Sequence, residues 1–277
     1  MRLVLLTAHS PDGEIQHRYV ASKLAKEFND ELVAIIVATG IRRTLPKKLR
    51  RWMRRYTPSQ AASRILARLY RSFTRADARR QETYRSVLFP NGESGKMPRE
   101  DLVKRIASHN TAECIALLEE FDPDVVVVYG TLIIGRKVIE SSRRIVNLHT
   151  GLSPTYRGSD TIFWPLHNAD PGNVGVTVHR LDPGVDSGPI LARGKPSIKP
   201  SDDEDTLFAK AVKLGAELLC RAVRREAEGK ARPITQRLEL GQEYRSVDRT
   251  LAAELRTRKL LNSGLLSEAR SEWSEEY

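Results

Sequence analysis

Four short runs in the first 149 residues contain almost no polar side chain: RLVLLTA (Arg2 to Ala8), ELVAIIVAT (Glu31 to Thr39), DVVVVYG (Asp124 to Gly130) and IVNLH (Ile145 to His149). They are too short to cross a membrane and too continuous for strands with one wet face. Strands of a parallel sheet covered by helices on both sides read this way. Between the first two runs, Ile15, Tyr19, Val20, Leu24 and Phe28 recur at helical spacing, and Asp12 stands where an N-cap would. Strand, helix, strand predicts a βαβ opening. Farther on, Leu102, Ile106, Cys114, Ile115 and Leu118 give Arg99 to Glu120 helical spacing. Val138 to Arg144 leads into the fourth run, Gly175 to Leu181 and Pro189 to Arg193 read as strands, and Asp202 to Glu228 as a long helix. The fold expected is α/β, a doubly wound, mostly parallel sheet. Residues 1–228 form its catalytic domain, with a basic helical insertion at 41–98, and 229–277 are a short C-terminal extension.

Several function classes lose support at once. No window holds 18 consecutive apolar residues, and MRLVLLTAHSPDGE lacks a signal-peptide cleavage pattern, so a cytoplasmic protein is expected. Cys114 and Cys220 are too few for a disulfide framework or a zinc knuckle and read as buried, reduced thiols. The first loop, TAHSPDG, is not a dinucleotide fingerprint, and no phosphate-cradling P-loop is present. His9, His17, His109, His167 and His179 are isolated, with no pair at metal-ligand spacing, so no metal is expected.

Charge is the other unusual quantity. The net charge of +11 comes from one place: Ile41 to Pro90 holds fifteen Lys and Arg against Asp77 and Glu82, a balance of +13 that leaves −2 for the remainder. From Ser59 to Phe89 there is no Gly or Pro, and Ala62, Ile65, Leu66, Leu69 and Phe73 recur at three- and four-residue steps, which predicts an amphipathic helix behind a shorter one around Lys47 to Tyr56. Three roles are open to it. Its apolar stripe packs on the domain and leaves Arg64, Arg68, Arg71 and Arg75 in water, or it lies on an anionic membrane, or it binds a phosphorylated acceptor.

The candidate site is the stretch VNLHTGLSPTYRGS, Val146 to Ser159. Alternate strand residues share a face, so Asn147 and His149 present an amide and an imidazole side by side at a strand's carboxyl end, where open α/β sheets bind ligands. Taken singly, a strand histidine is commonly a satisfied core residue, and an Asp before Ser-Gly is commonly a turn. With Asp186 of GVTVHRLDPGVDSGPIL, Asn147 and His149 resemble the Asn-x-His and D-x-G pair of the folate-dependent formyltransferases, a resemblance that implies acyl transfer to an amine. Asn147 supplies an N–H to the oxyanion, and His149 acts as second donor or general acid. Asp186 raises the His149 pKa, holds its protonated form and relays a proton from the amine through water.

NLHTGLSPTYRG followed by GVTVHRLDPGVDSGPIL resembles the folate-dependent formyltransferases, closest to their sugar N-formyltransferase branch. Their motif is Asn-x-His, a Pro soon after, and an Asp in a D-x-G-x-I loop. Asn147, His149, Pro154 and Asp186 match it, with Asp186 39 positions beyond Asn147 and followed by Gly188 and Ile190. The resemblance is detailed over Asp124 to Arg193 and holds in outline over Met1 to Thr39; the basic segment is unlike the best-known members. It implies a Rossmann-like formyltransferase fold, catalytic Asn147, His149 and Asp186, and formyl-tetrahydrofolate as co-substrate with no metal. The pteridine would lie against the backbone of Thr131, Leu132 and Ile133, with Asp182 to Val185 closing its other side. Thr131 stands where members often carry Arg.

The family formylates purine precursors, initiator methionyl-tRNA and amino sugars on nucleotides, and its deformylases use water. Tyr156, Arg157 and Gly158 after the Pro, read as substrate-binding, look more like the sugar-nucleotide and tRNA branches. Only 48 residues follow Gly229, too few for the β-barrel domain of tRNA formyltransferases. The reading is formyl transfer to a small primary amine of a nucleotide-linked amino-deoxysugar for surface polysaccharide. A methionyl-tRNA formyltransferase-like enzyme, a formyl-tetrahydrofolate hydrolase and a non-catalytic binding module remain alternatives. A peripheral membrane location and a homodimer are left open.

Overall fold

The computed structural model describes residues 1–8, 14–40, 56–74, 76–92, 96–269 and 273–277. Eight strands form one sheet in the order β10-β8-β7-β5-β4-β1-β2-β3. Its parallel part comprises β1 (Leu3–Ala8), β2 (Leu32–Ala38), β3 (Val103–Ile106), β4 (Val125–Tyr129) and β5 (Ile145–His149). Beyond β5 the sheet turns antiparallel through β7 (Val176–Arg180), β8 (Ile190–Lys195) and β10 (Trp273–Glu276). The four apolar runs are central strands, and their alternate residues supply two cores. Leu3, Leu5 and Ile35 pack with α1 (Glu14–Glu27) and α7 (Glu204–Ala227), through Val20, Leu24, Phe28, Leu207, Val212 and Leu219. Val4, Leu6, Ala34 and Ile36 meet Cys114 and Leu118 of α4 (Ala112–Phe121) and Val138 of α5 (Arg136–Glu140). This is the doubly wound, mostly parallel α/β sheet expected.

Two elements differ from the sequence expectation. The helix expected over Arg99 to Glu120 begins only at Ala112, where the Thr111 side chain accepts from the Cys114 N–H. Before it, Val103 to Ile106 is an edge strand parallel to β2. The single helix expected over Ser59 to Phe89 is two, α2 (Pro58–Phe73) and α3 (Ala76–Leu88). On α2 the apolar stripe does not pack on the domain: Ala62 is exposed, and Ile65, Leu66 and Leu69 are 52%, 54% and 61% exposed, while the neighbouring Ala61 is buried. The side chains of Arg64, Arg68, Arg71 and Phe73 lie outside the described residues, as do Asp12, Arg75 and, apart from Tyr56, the shorter helix around Lys47 to Tyr56. The insertion is held to the sheet domain by α3. Tyr84 and Leu88 are buried, the Tyr84 ring stacks on Phe208 with centroids 5.0 Å apart, and Arg80 Nε donates to Asp205 of α7 at 2.8 Å.

Residues after α7 return to the sheet domain. A backbone bridge joins Ile234 to Ile190. β9 (Gln242–Tyr244) pairs in parallel with β6 (Tyr156–Gly158), α8 (Leu251–Asn262) meets α6 (Phe163–His167) where Thr257 Oγ1 lies 3.1 Å from His167 Nδ1, and β10 adds an edge to β8. Cys114 and Cys220 are free and buried, and burial pushes their thiols up to about 11 and about 12. Among the described residues no helix is long and apolar enough to cross a membrane.

Candidate active site

Asn147 and His149 stand at the carboxyl end of β5, where the sheet changes from parallel to antiparallel. The β5–β7 register sets Asn147 opposite His179 and His149 opposite Thr177. The chain then leaves through Gly151, where a Cβ would lie 2.3 Å from His149 Nε2; glycine leaves the imidazole its room. Thr177, buried on β7, pins this loop by accepting from the Ser153 N–H at 2.9 Å and donating to the Gly151 carbonyl at 2.8 Å.

The D-x-G loop brings Asp186 to the same place. Its carboxylate lies 3.4 Å from His149 Nδ1 and 3.6 Å from His179 Nε2, and accepts from the Gly158 N–H at 2.9 Å. The three residues expected to be catalytic therefore converge, with His179 as a fourth member absent from the sequence reading. His179 is fully buried, and its Nδ1 lies 2.8 Å from the Arg180 carbonyl, so the proton belongs on Nδ1. Nε2 then accepts from Asn147 Nδ2 at 3.1 Å, which fixes the Asn147 amide and leaves its second N–H without a partner among the described residues.

Both His149 nitrogens face acceptors, since Nε2 lies 3.2 Å from the Tyr156 carbonyl. The charged ring would satisfy both contacts, but the site is buried. Burial pushes the His149 pKa below its ordinary value and outweighs the opposing pull of Asp186 and the Tyr156 carbonyl. The raised pKa expected from sequence is thus overturned: the carboxylate is there, but desolvation of the ring is larger. For Asp186 burial works upward, and His149 and the Gly158 N–H outweigh it, holding the carboxyl well below the usual range. At neutral pH the pair is a carboxylate beside a neutral imidazole.

The remaining expected site residues divide. Leu132 and Ile133, after β4, are 85% and 72% exposed, on a loop held by Asn110, which donates to the Ile133 carbonyl at 2.8 Å and accepts from the Gly135 N–H at 2.6 Å. Thr131 is half-buried beside them. Asp182 turns to its own loop, accepting from Ser187 Oγ at 2.7 Å and the Gly184 N–H at 3.1 Å. Val185 offers its carbonyl to Arg157 Nη1 at 3.4 Å, and the buried Arg157 Nε has no partner among the described residues. Tyr156 is buried with its hydroxyl donating to Asp170 at 2.9 Å, so it reaches the site through its backbone carbonyl, and Gly158 through its N–H.

A cavity of about 220 Å³ opens beside His149, with Thr150, Gly158, Asp160, Thr161, Glu204 and Arg249 in its lining and Arg80 and Tyr84 of the insertion forming one wall. Arg249 is held bidentately by Glu204 at 2.7 and 3.0 Å, reaches Asp160 at 3.1 Å, and sits 4.1 Å from the centre of the Phe163 ring. Among the described residues no cluster of His, Cys, Asp and Glu is arranged to hold a metal ion.

The formyl transferase family model matches residues 79–223, more than half of the chain, and covers the whole Asn147, His149, His179 and Asp186 cluster. The chain belongs to the formyl transferase family. Among curated relatives, this chain is 33% identical over 130 residues to a methionyl-tRNA formyltransferase of Caldanaerobacter subterraneus, covering 46% of the chain and 42% of the relative. It is 32% identical over 108 residues to a GDP-perosamine N-formyltransferase of Brucella melitensis, covering 38% and 41%. The chain thus spans about two fifths of the length of these relatives. A solved sugar N-formyltransferase from Shewanella sp shares its fold with a TM-score of 0.56 at 15% identity, over 94% of this chain and 88% of that one. Gln236, Tyr244 and Arg249 lie beyond the stretch that the family model matches.

Proposed function

We propose that this formyl transferase moves a formyl group from formyl-tetrahydrofolate to a primary amine. The observation that carries the reading is the convergence of Asn147, His149 and Asp186, with the Asn147 amide fixed by His179 and one N–H left over. That N–H supports the oxyanion formed when the amine adds to the formyl carbon. A neutral His149 beside an ionised Asp186 is ready to take the amine's proton and, once charged, to return it to the departing nitrogen. The exposed Leu132 and Ile133 offer an apolar surface of the kind a pteridine ring covers, with Thr131 beside them and the Asp182 to Val185 loop opposite. The amine enters, uncharged, from the cavity beside His149, which the Gly158 turn borders, with Arg157 next along the chain.

For the acceptor, the reading is an amino-deoxysugar on a nucleotide; the GDP-perosamine enzyme supports it. The similarity to methionyl-tRNA formyltransferases favours a second acceptor, and one assay separates them. Purified protein is given formyl-tetrahydrofolate with amino-sugar nucleotides, with methionyl-tRNA, and alone. Product only with a sugar nucleotide supports the reading, product with methionyl-tRNA replaces the acceptor, and formate released without amine makes the protein a hydrolase. No turnover in any arm, with no rise in melting temperature at saturating folate analogue, overturns formyl transfer itself.

We infer in addition that α2 lies on an anionic lipid surface. Its support is the exposed Ile65, Leu66 and Leu69 on a helix whose sequence also carries Arg64, Arg68 and Arg71.

A further inference from the structure

Asp186 is held on a backbone uncommon for a residue that carries a Cβ. Its φ is +48°, in the left-handed region. Two residues later the chain passes so close to Arg180 that a Cβ on Gly188 would lie 1.8 Å from the Arg180 carbonyl oxygen. A turn this tight leaves carbonyls pointing out of it, and the segment after α7 supplies their donors. Gln236 is 8% exposed, and its Nε2 donates to the Asp186 carbonyl at 2.9 Å and to the Gly188 carbonyl at 2.6 Å. The register that delivers it is set two residues earlier, where Ile234 and Ile190 exchange both backbone bonds, at 2.8 and 2.9 Å.

We propose that Gln236 is a positioning residue for Asp186, whose amide holds the left-handed turn so that the carboxylate faces His149, His179 and the Gly158 N–H together. The inference rests on the reading of formyl transfer given above. Two features of the side chain support it. Both amide hydrogens are used, so the amide has one orientation; reversed, its oxygen would face two carbonyls. Its own Oε1 is buried without a partner among the described residues, which opposes folding. An apolar side chain of the same length would avoid that cost and would leave two turn carbonyls without donors. Only a donor of this length answers the geometry.

The test uses the full chain with Gln236→Met, which keeps length and loses both donors, and Gln236→Glu, which keeps shape and sets an acceptor against two carbonyls. Formyl-transfer kinetics are read with the histidine NMR titration of His149, which responds to Asp186, His179, Arg157 and the Tyr156 carbonyl around it. Both variants are expected to fold and to lose kcat by up to about 100-fold with KM for donor and amine little changed, as for a catalytic group displaced by an ångström. The His149 titration is expected to shift to lower pH as the carboxylate drifts away. Wild-type kcat in folded Gln236→Met overturns the proposal, and so does a fall in kcat with His149 titrating as in wild type. If Gln236→Met does not fold, the same two readouts on Gln236→Glu decide, and failure of both to fold overturns positioning in favour of a purely structural role. If wild type transfers no formyl group while the His149 shift is seen, formyl transfer fails and the positioning of Asp186 stands.

Discussion

His149 is buried and its pKa is held down, so its protonation is the most sensitive property of the site. Asp186 pulls the other way, and Asp186→Asn removes that pull. The His149 titration, already below its ordinary position in wild type, is expected to fall further in the variant, as read by histidine NMR; a rise would show that the carboxylate does not act on the ring as described. The stability sign follows from the same groups. Asp186, with a depressed pKa, stabilises the fold above its unfolded pKa and loses that contribution as pH falls through its folded value; a His149 buried neutral likewise favours folding until acid charges it. In kinetics, His149→Ala is expected to lower turnover by about two to four orders of magnitude and Asn147→Ala by about two to three, with folding intact by circular dichroism. His179→Gln, by freeing the Asn147 amide, should cost kcat up to about 100-fold with KM little changed. Asn147, His149 and Asp186 were legible in the sequence because residue type, alternation on a strand and a D-x-G loop converge on one chemistry. His179 reads along the chain as an isolated histidine. What makes it a partner is the antiparallel β5–β7 register, and no spacing along the chain contains that register. The seven residues from His179 to Asp186 are the one sequence signal that places it near the site.

Strands buried on both faces were readable because runs this short, this uniformly apolar and this rich in Val and Ile mark a covered parallel sheet. Failures fell on elements without that signature. Val103 to Ile106 carries Lys104 and Arg105 on a sheet edge, and Leu102 and Ile106, four apart, mimic a helix turn. The stretch from Ser59 to Phe89 has no Gly or Pro to mark where α2 ends, and only packing separates it from α3, whose Tyr84 finds Phe208. β6 and β9 are three residues each, and their pairing holds the Gly158 N–H on Asp186. Gly158 has φ +93°, and a Cβ there would lie 2.2 Å from the Tyr244 carbonyl oxygen. Gly158→Ala should therefore push β9 away, costing about 1–3 kcal/mol by thermal melting and lowering kcat as the N–H leaves the carboxylate. A variant as stable and active as wild type would show that the β6–β9 contact is dispensable. For α2 the measurement is sedimentation with vesicles of phosphatidylglycerol and phosphatidylcholine. Wild type should pellet, and the triple variant Ile65→Gln, Leu66→Gln, Leu69→Gln should stay in solution with unchanged kinetics. Wild type left in the supernatant removes the lipid surface as a partner.

At the scale of the molecule, the short C-terminal extension of the sequence returns to the catalytic face at several points. Gln236 meets the Asp186 turn, and Tyr244 stacks on Trp164 with centroids 4.6 Å apart and on Tyr156 at 5.7 Å. Arg249 ties Glu204 at the start of α7 to Asp160, and β10 covers the edge of β8. Charge and polarity along this stretch hid these contacts, because ion pairs, single aromatics and three-residue strands leave no periodicity to read. The arrangement separates two shortened chains. Ending the chain after Ala269 removes β10, uncovering the β8 edge and breaking the ion pairs of Arg221 with Glu276 and Arg193 with Glu275, while leaving Gln236, Tyr244 and Arg249 in place. An exposed edge strand invites association, so this chain should self-associate, by light scattering, while its monomer keeps the kcat of the full chain. Ending after Glu228 takes away every one of these contacts. The carboxylate turn loses its donors, β6 loses its partner and Glu204 loses its cation, so little soluble protein is expected, and what remains should lack turnover while the sheet core still gives a far-ultraviolet α/β spectrum. Full activity in a soluble chain ending at Glu228 would mean that the sheet domain holds its own active site and that everything after α7 is cover.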